Sequence, residues 1–355
     1  MKSSEELKRV DCDAAALEGI RVVLRLRLAE MYDLRAAALE WSEIEGVHQM
    51  RVASRRLRSA LRDFEEFTEG AFPERRLKEV ASALGKVRDQ DVAIAALEKV
   101  RAKTSGGVAE GIGQLIAERD AVRARARERL EVVIAETPLA GLREKFLLRL
   151  EKVGTGVRRK RGERRTRAVK KDLSFRQAGR KVIELRLKEL REFSYSLHHP
   201  FDIEPLHKMR IAAKRLRYAL ELFASCWDGR LSACSREVAE LQTALGELRD
   251  CDIWIADLGA RLDRHHRESA HGHDPDTRVR LAAIWLLNYF TKERGKQFRR
   301  ALARWHKWEV GGFFERMLEI LREARASEPE AANDEALAAE VGTAITQESG
   351  ASHAS

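Results

Sequence analysis

Internal repetition constrains the fold of this 355-residue chain more than any other feature. Residues 43–64, EIEGVHQMRVASRRLRSALRDF, align without a gap on 202–223, DIEPLHKMRIAAKRLRYALELF, with 12 of 22 positions identical at a spacing of 159. A second block, ALGKVRDQDVAIAAL from Ala83, aligns on ALGELRDCDIWIADL from Ala244, with 9 of 15 identical at a spacing of 161. Two blocks repeated in the same order imply a duplicated half. The arrangement this favours is two helical bundles packed about a pseudo-two-fold axis, with the repeated blocks facing inward.

The halves are expected to be all-α. Charged residues make up 35% of the chain and aromatics 6%, and period-two apolar alternation is missing. The six prolines, Pro73, Pro138, Pro200, Pro205, Pro275 and Pro329, fall between periodic segments. Those segments predict helices over about 14–45, 47–69, 73–103, 108–136, 138–170, 175–198, 205–226, 229–268, 277–309 and 312–325. Residues 1–14 read as an N-terminal tail, 15–155 as the first half, 156–174 as a basic connecting segment and 175–325 as the second half. Residues 326–355 carry six acids and no Lys or Arg, and read as a disordered acidic tail.

The chain's net charge of +10 rises to +16 when that tail is set aside, which points to an anionic partner. The polar start lacks the apolar stretch of a signal peptide, and no apolar run is long enough to cross a bilayer, so a cytoplasmic protein without membrane insertion is expected. Cys12, Cys226, Cys234 and Cys251 show no regular spacing, which argues against a disulfide framework or a thiolate metal site and for small buried residues in a reducing compartment.

The repeated helix carries the strongest functional signal. At about 100° per residue, Met50, Ala53, Leu57, Ala60, Leu61 and Phe64 form one apolar arc, and His48, Arg51, Arg55, Arg58 and Arg62 form a cationic arc beside it. In the second copy Met209, Ala212, Leu216, Ala219, Leu220 and Phe223 repeat the apolar arc, and His207, Arg210, Lys214 and Arg217 the cationic one. No acid occurs from His48 to Arg62 or from His207 to Leu220, so the usual i,i+4 compensation of an exposed helix is missing. Glu221 stands where the first copy has Arg62. Rows of guanidinium groups one turn apart suit a linear polyanion, because each fork holds phosphate oxygens with two parallel hydrogen bonds.

The second block adds Arg88 and Arg249 as further anion contacts, and Asp89, Asp91, Asp250 and Asp252 as groups that hold cations in place. Gly85 and Gly246, inside helical pattern, suggest close backbone approach. Between the halves, RRKRGERRTRAVKK from Arg158 is either a solvated linker or an extra ligand-contacting face. A cluster of His265, His266, His271, His273 and Asp274 reads as a polar loop; metal binding is its alternative, and no metal or cofactor is expected.

With its paired histidine-led basic helices followed by ALGKVRDQD and ALGELRDCD, the sequence resembles the CHAD domain, the conserved-histidine α-helical domain, over residues 15–325. The resemblance implies two four-helix bundles around a central basic pore, binding of inorganic polyphosphate, and location on polyphosphate granules. Carried over position by position, it places His48, Arg51, Arg55, Arg58, Arg88, His207, Arg210, Lys214, Arg217 and Arg249 in the pore, with Arg56 and Arg215 at its rim. Many such domains are fused to a CYTH triphosphatase with a Glu-x-Glu-x-Lys strand. Here Glu43-x-Glu45 is followed by Val47, so a stand-alone, non-enzymatic module is expected. The alternative is an RNA- or single-strand-binding helical protein, which the scarcity of aromatics on the basic arc disfavours.

Overall fold

The computed structural model describes residues 6–7, 9–68, 72–153, 173–270 and 277–323. Among the described residues the chain is helical with no strand. The elements are α1 (Ala16–Asp33), α2 (Arg35–Ala38), α3 (Glu45–Asp63), α4 (Glu65–Thr68), α5 (Glu74–Arg101), α6 (Gly106–Val133), α7 (Glu136–Glu151), α8 (Phe175–Glu192), α9 (Ile203–Leu222), α10 (Leu231–Ala270), α11 (Thr277–Val310) and α12 (Phe313–Glu323). Short 3₁₀ turns follow α8 and α9.

Most boundaries fall within a few residues of the periodic segments, and the main departures are in the 14–45 and 138–170 segments. The first segment breaks after Asp33, and α3 begins only at Glu45. The 138–170 segment is helical from Glu136 to Glu151; the basic stretch from Arg158 to Lys171 lies outside the described residues, as does the 326–355 tail. Pro138 and Pro205 lie inside α7 and α9, not between helices. Both occupy the third helical position, where the backbone N–H has no intrahelical acceptor to lose.

Helix packing follows one pattern twice. α1 packs on α3, α3 on α5 and α5 on α6, while α8 packs on α9, α9 on α10 and α10 on α11. Helix packing also joins the sets, most extensively between α6 and α11, and through α1 with α8 and α3 with α9. The main core draws on α1, α3, α7, α8, α9, α12, the near parts of α5 and α10, including Val87 and Leu248, and the far ends of α6 and α11, including Leu130 and Trp308. A second cluster lies further along the long helices, with Leu97 and Val100 of α5, Ile112 and Leu115 of α6, Trp254 and Leu258 of α10, and Ala282 and Leu286 of α11. Between Val87 and Ile94 on α5, and between Leu248 and Cys251 on α10, the chain passes from the main core toward the second cluster.

Ion pairs from α6 to α10 and α11 bind that second region together: Arg119 to Asp257, Arg261 to Glu118, and Arg278 to Glu110. At the crossing of α6 and α11, a Cβ on Gly111 would collide with the Arg278 carbonyl, so only glycine allows this approach. Gly85 and Gly246 play no such part, contrary to the sequence expectation. A Cβ on Gly85 would sit 3.7 Å from the Arg51 guanidinium, an ordinary contact, and one on Gly246 would meet open space.

The N-terminal segment packs on the main core through Leu7, Val10 and Cys12, so part of the expected 1–14 tail is docked. Ala15 and Ser174 form an isolated antiparallel bridge. Ala16 N–H donates to Leu173 O at 2.8 Å, and Phe175 N–H donates to Ala14 O at 2.9 Å. Arg176 grips both carboxylate oxygens of Asp13 at 2.9 Å. This docking carries Cys12 to Cys226, and the two form a disulfide with Cα atoms 5.3 Å apart. The reading of all four cysteines as reduced therefore holds only for buried Cys234 and Cys251. A separation of 214 residues left no spacing signal from which the bond could be read. Among the described residues, no helix is long and apolar enough to cross a membrane.

Candidate functional site

The apolar arcs set the rotation of α3 and α9. Met50, Ala53, Leu57, Ala60 and Phe64 are buried, and so are Met209, Ala212, Leu216, Ala219 and Phe223. With those stripes in the core, His48, Arg51, Arg55 and Arg58 come to a half-buried position on one side of α3, and His207, Arg210, Lys214 and Arg217 do so on α9. Because α3 packs on α9, the two cationic rows meet. Arg55 repels Arg51, Arg217 and Arg210; Lys214 repels Arg210, Arg55, Arg51 and Arg215. From α5 and α10, Arg88 acts on His48 and Arg249 acts on His207.

Burial and mutual repulsion make the charged state of these groups costly. Burial, followed by repulsion from neighbouring cations, pushes Lys214 down to about 7. Burial lowers Arg55 and Arg210, with Asp250 opposing the shift at Arg210. Burial is also the first cause that lowers His48 and His207, followed by Arg88 and Arg249 respectively. No carboxylate forms an ion pair with Arg55, Arg58, Arg62, Arg88, Arg210, Lys214 or Arg249 among the described residues. The Nε groups of Arg55, Arg210 and Arg217, Nδ1 of His207 and the hydroxyl of Tyr218 are buried with no hydrogen-bond partner. So many uncompensated donors and charges on one face make a place for an anion, since a buried polar group without a partner costs free energy.

Not every expected residue joins this face. Arg56 donates to Glu30 at 3.1 Å and lies 3.7 Å from Glu221, and Arg215 reaches Glu189 at 3.5 Å. Both arginines thus have carboxylate partners on neighbouring helices, while the Nε of each stays buried without a partner, as in Arg55 and Arg210. Arg62 is exposed and acts on Arg215, Arg58 and Arg186, away from the histidine end. Arg217 belongs to the face but also meets Glu221 at 3.6 Å.

The four aspartates divide into two kinds. Asp89 accepts from Arg51 at 3.1 Å, and Asp250 acts on Arg210, so this pair faces the cations. Asp91 and Asp252 are buried and pair with Arg123 of α6 at 3.5 Å and Arg294 of α11 at 2.6 Å, tying the long helices of each set together. His265 and His266 are helical residues of α10, not a loop; His271, His273 and Asp274 lie outside the described residues. No group of three or more metal-ligating side chains occurs among the described residues.

A third repeated element escaped sequence reading. Leu26-Arg27-Leu28-Ala29-Glu30 on α1 matches Leu185-Arg186-Leu187-Lys188-Glu189 on α8 at the same spacing of 159. Arg27 bonds Glu30 at 2.7 Å, and Arg186 bonds Glu189 at 2.5 Å. These glutamates then hold Arg56 and Arg215. The signal was there in the LRLxE pattern but too short to stand out beside the longer blocks.

An all-helical protein whose two histidine-led helices bring their uncompensated cations to one face is the class defined by this fold and site. The CHAD domain family model matches residues 22–259, more than half of the chain, and the chain belongs to that family. Among solved structures it is similar to the CHAD domain from the plant Ricinus communis, with a TM-score of 0.63 and 22% identity, covering 83% of this chain and 93% of that one. At that identity the likeness speaks for the fold. No curated protein matches the chain.

Proposed function

We propose that the protein binds inorganic polyphosphate, held by the α3 and α9 cations in a basic pore between two duplicated halves, and that this contact brings it to polyphosphate granules. The single observation that carries the reading is the gathering of buried donors without an acceptor on Arg55, Arg210, Arg217 and Tyr218 beside Lys214, which the neighbouring arginines repel. A chain of phosphates supplies acceptors at close intervals and neutralises a row of guanidinium groups together.

The two-fold arrangement is supported by contacts between counterpart residues. Ala15 bridges Ser174, and the hydrogen bonds Ala16 to Leu173 and Phe175 to Ala14 exchange under the spacing of 159. Phe64 and Phe223, also counterparts, meet with ring centroids 6.0 Å apart. An isologous contact has this form, residue i on j and j on i. The pore is supported by the two separated hydrophobic clusters, with Arg88 and Arg249 on the stretches of α5 and α10 that run between them.

The role is binding without catalysis: the face offers donors and charge, and its two facing aspartates serve arginines. The test is direct binding of long-chain polyphosphate at near-physiological salt, with RNA and tripolyphosphate as competitors. The expected result is tight binding that falls steeply with salt, as counterion release requires, and that RNA of equal charge fails to displace. Arg51→Ala with Arg210→Ala should lower the affinity at least about tenfold without changing the melting temperature. Displacement by RNA at equal charge would reassign the face to nucleic acid.

A further inference from the structure

The two cationic rows are not equivalent, and the difference is sharpest one turn beyond the paired Arg55 and Lys214. At that position the first copy has Ser59 and the second has Tyr218. Tyr218 is 5% exposed, and its hydroxyl is buried without a hydrogen-bond partner. The Arg217 guanidinium lies over its ring, 5.1 Å from the centroid. Tyr218 also acts electrostatically on Arg55 of the opposite row and Arg210 of its own. Each of these three arginines keeps an unpartnered Nε. The three Nε groups and the Tyr218 hydroxyl are thus four buried donors from two helices without a hydrogen-bond acceptor, while Nη1 of Arg217 separately meets Glu221 at 3.6 Å. Ser59 is also buried, but its hydroxyl sits on Cβ and cannot extend along the face as a phenol does.

We propose that Tyr218, Arg55, Arg210 and Arg217 form a discrete subsite for one doubly charged phosphoryl group, present on the second row and absent from the first. This rests on the polyphosphate reading and deepens it, because interior phosphates of a linear chain carry one charge each while a terminal phosphate carries close to two at neutral pH. A neutral phenol donor between guanidinium groups adds a directed hydrogen bond, and hydrogen bonds to charged groups are the stronger kind. The subsite therefore takes a chain end or a free phosphate, and it places a bound chain asymmetrically across the two rows.

The test compares wild type with Tyr218→Phe against three ligands of known form: linear tripolyphosphate, which has two ends; cyclic trimetaphosphate, which has none; and orthophosphate. Removing the hydroxyl should weaken tripolyphosphate about tenfold and trimetaphosphate by less than about twofold. Orthophosphate separates the two sources: a parallel loss assigns the subsite to any dianionic phosphate, and no loss assigns it to chain ends. Equal losses for the linear and cyclic ligands, or no loss for the linear one, would overturn the proposal. Thermal melting guards against misfolding. Tyr218→Phe should melt no lower than wild type without ligand, because it deletes an unpaired buried hydroxyl, and should gain less from tripolyphosphate. If wild type binds long chains through Arg51 and Arg210 but Tyr218→Phe changes nothing, the subsite fails and the polyphosphate reading stands. If wild type binds no polyphosphate, the reading itself fails.

Discussion

Helices α3 and α9 share an apolar arc and most of a cationic one, yet the structure anchors them differently. α3 ends at Asp63, whose carboxylate is buried against Arg186 of α8 at 2.8 Å; α9 has Leu222 at that position. α9 is followed by Cys226, bonded to Cys12, where the first copy has Phe67. Along the cationic row, Lys214 replaces Arg55, Tyr218 replaces Ser59 and Glu221 replaces Arg62. The apolar stripe from Met50 to Phe64 is retained from Met209 to Phe223, while the helix ends and the cationic edge have diverged.

The largest effect should come from the buried pair found in only one copy. Burial outweighs the attraction of Arg186 and pushes the Asp63 carboxyl up to about 6. Asp63→Leu, which imports the second copy's solution, leaves Arg186 short of a partner and should cost about 3 kcal/mol in urea denaturation. Adding Arg186→Met should recover most of that loss, since an apolar pair carries no desolvation penalty. If the single substitution is neutral, the asymmetry has no energetic content.

Cutting the anchor that belongs only to the second copy comes next. Cys12→Ser, or reduction of the Cys12–Cys226 bond, should lower stability by about 2–4 kcal/mol, read as a fall in the melting temperature. An unchanged melt on reduction would show that the hydrogen bonds around Ala15 and Arg176 hold the segment alone.

The smallest effect separates Arg55 from Lys214, and pH is the lever. Arg55 keeps its charge throughout the physiological range. Lys214, pushed down to about 7 by burial and its arginine neighbours, loses its proton as the pH rises through neutrality. A polyanion stabilises the charged amine, so binding takes up a proton and polyphosphate affinity should fall roughly tenfold between pH 6.5 and 8.5. Lys214→Arg should flatten that fall. Below pH 6.5, where His48 and His207, both lowered by burial, give up their protons, affinity should also fall as the pH rises, and that part should survive the substitution. In the free protein the sign reverses: the unfolded chain holds the Lys214 proton up to about 10.5 and the folded one only to about 7, so Lys214 makes stability rise with pH across that window. An affinity profile identical for wild type and Lys214→Arg would remove Lys214 from the site.

Much of the molecule could be read in one dimension because its signals are local. A helix repeats every 3.6 residues, so the apolar stripe of Met50 to Phe64 announces both the element and the face it buries. The acid-free rows on α3 and α9 announced a cationic face for the same reason. Arg56 and Arg215 looked equivalent to their neighbours in that pattern, and only the approach of α1 and α8 put Glu30 and Glu189 beside them. The cysteine bond, the docking of residues 9–15 and the pairing of Asp91 with Arg123 are likewise products of contacts between distant segments.

Periodicity, repetition and charge thus determined on their own that this chain forms long helices, that two of its segments are copies, and that each copy carries a row of cations beside a core stripe. Tertiary structure alone decided which of those cations stay uncompensated and that the two rows face each other. It also decided that the second copy is tied to the N-terminal segment. The physical reason is range: a helix face is set by neighbours three and four residues away, whereas the charge state and partners of a half-buried arginine depend on groups that only packing brings within a few ångströms.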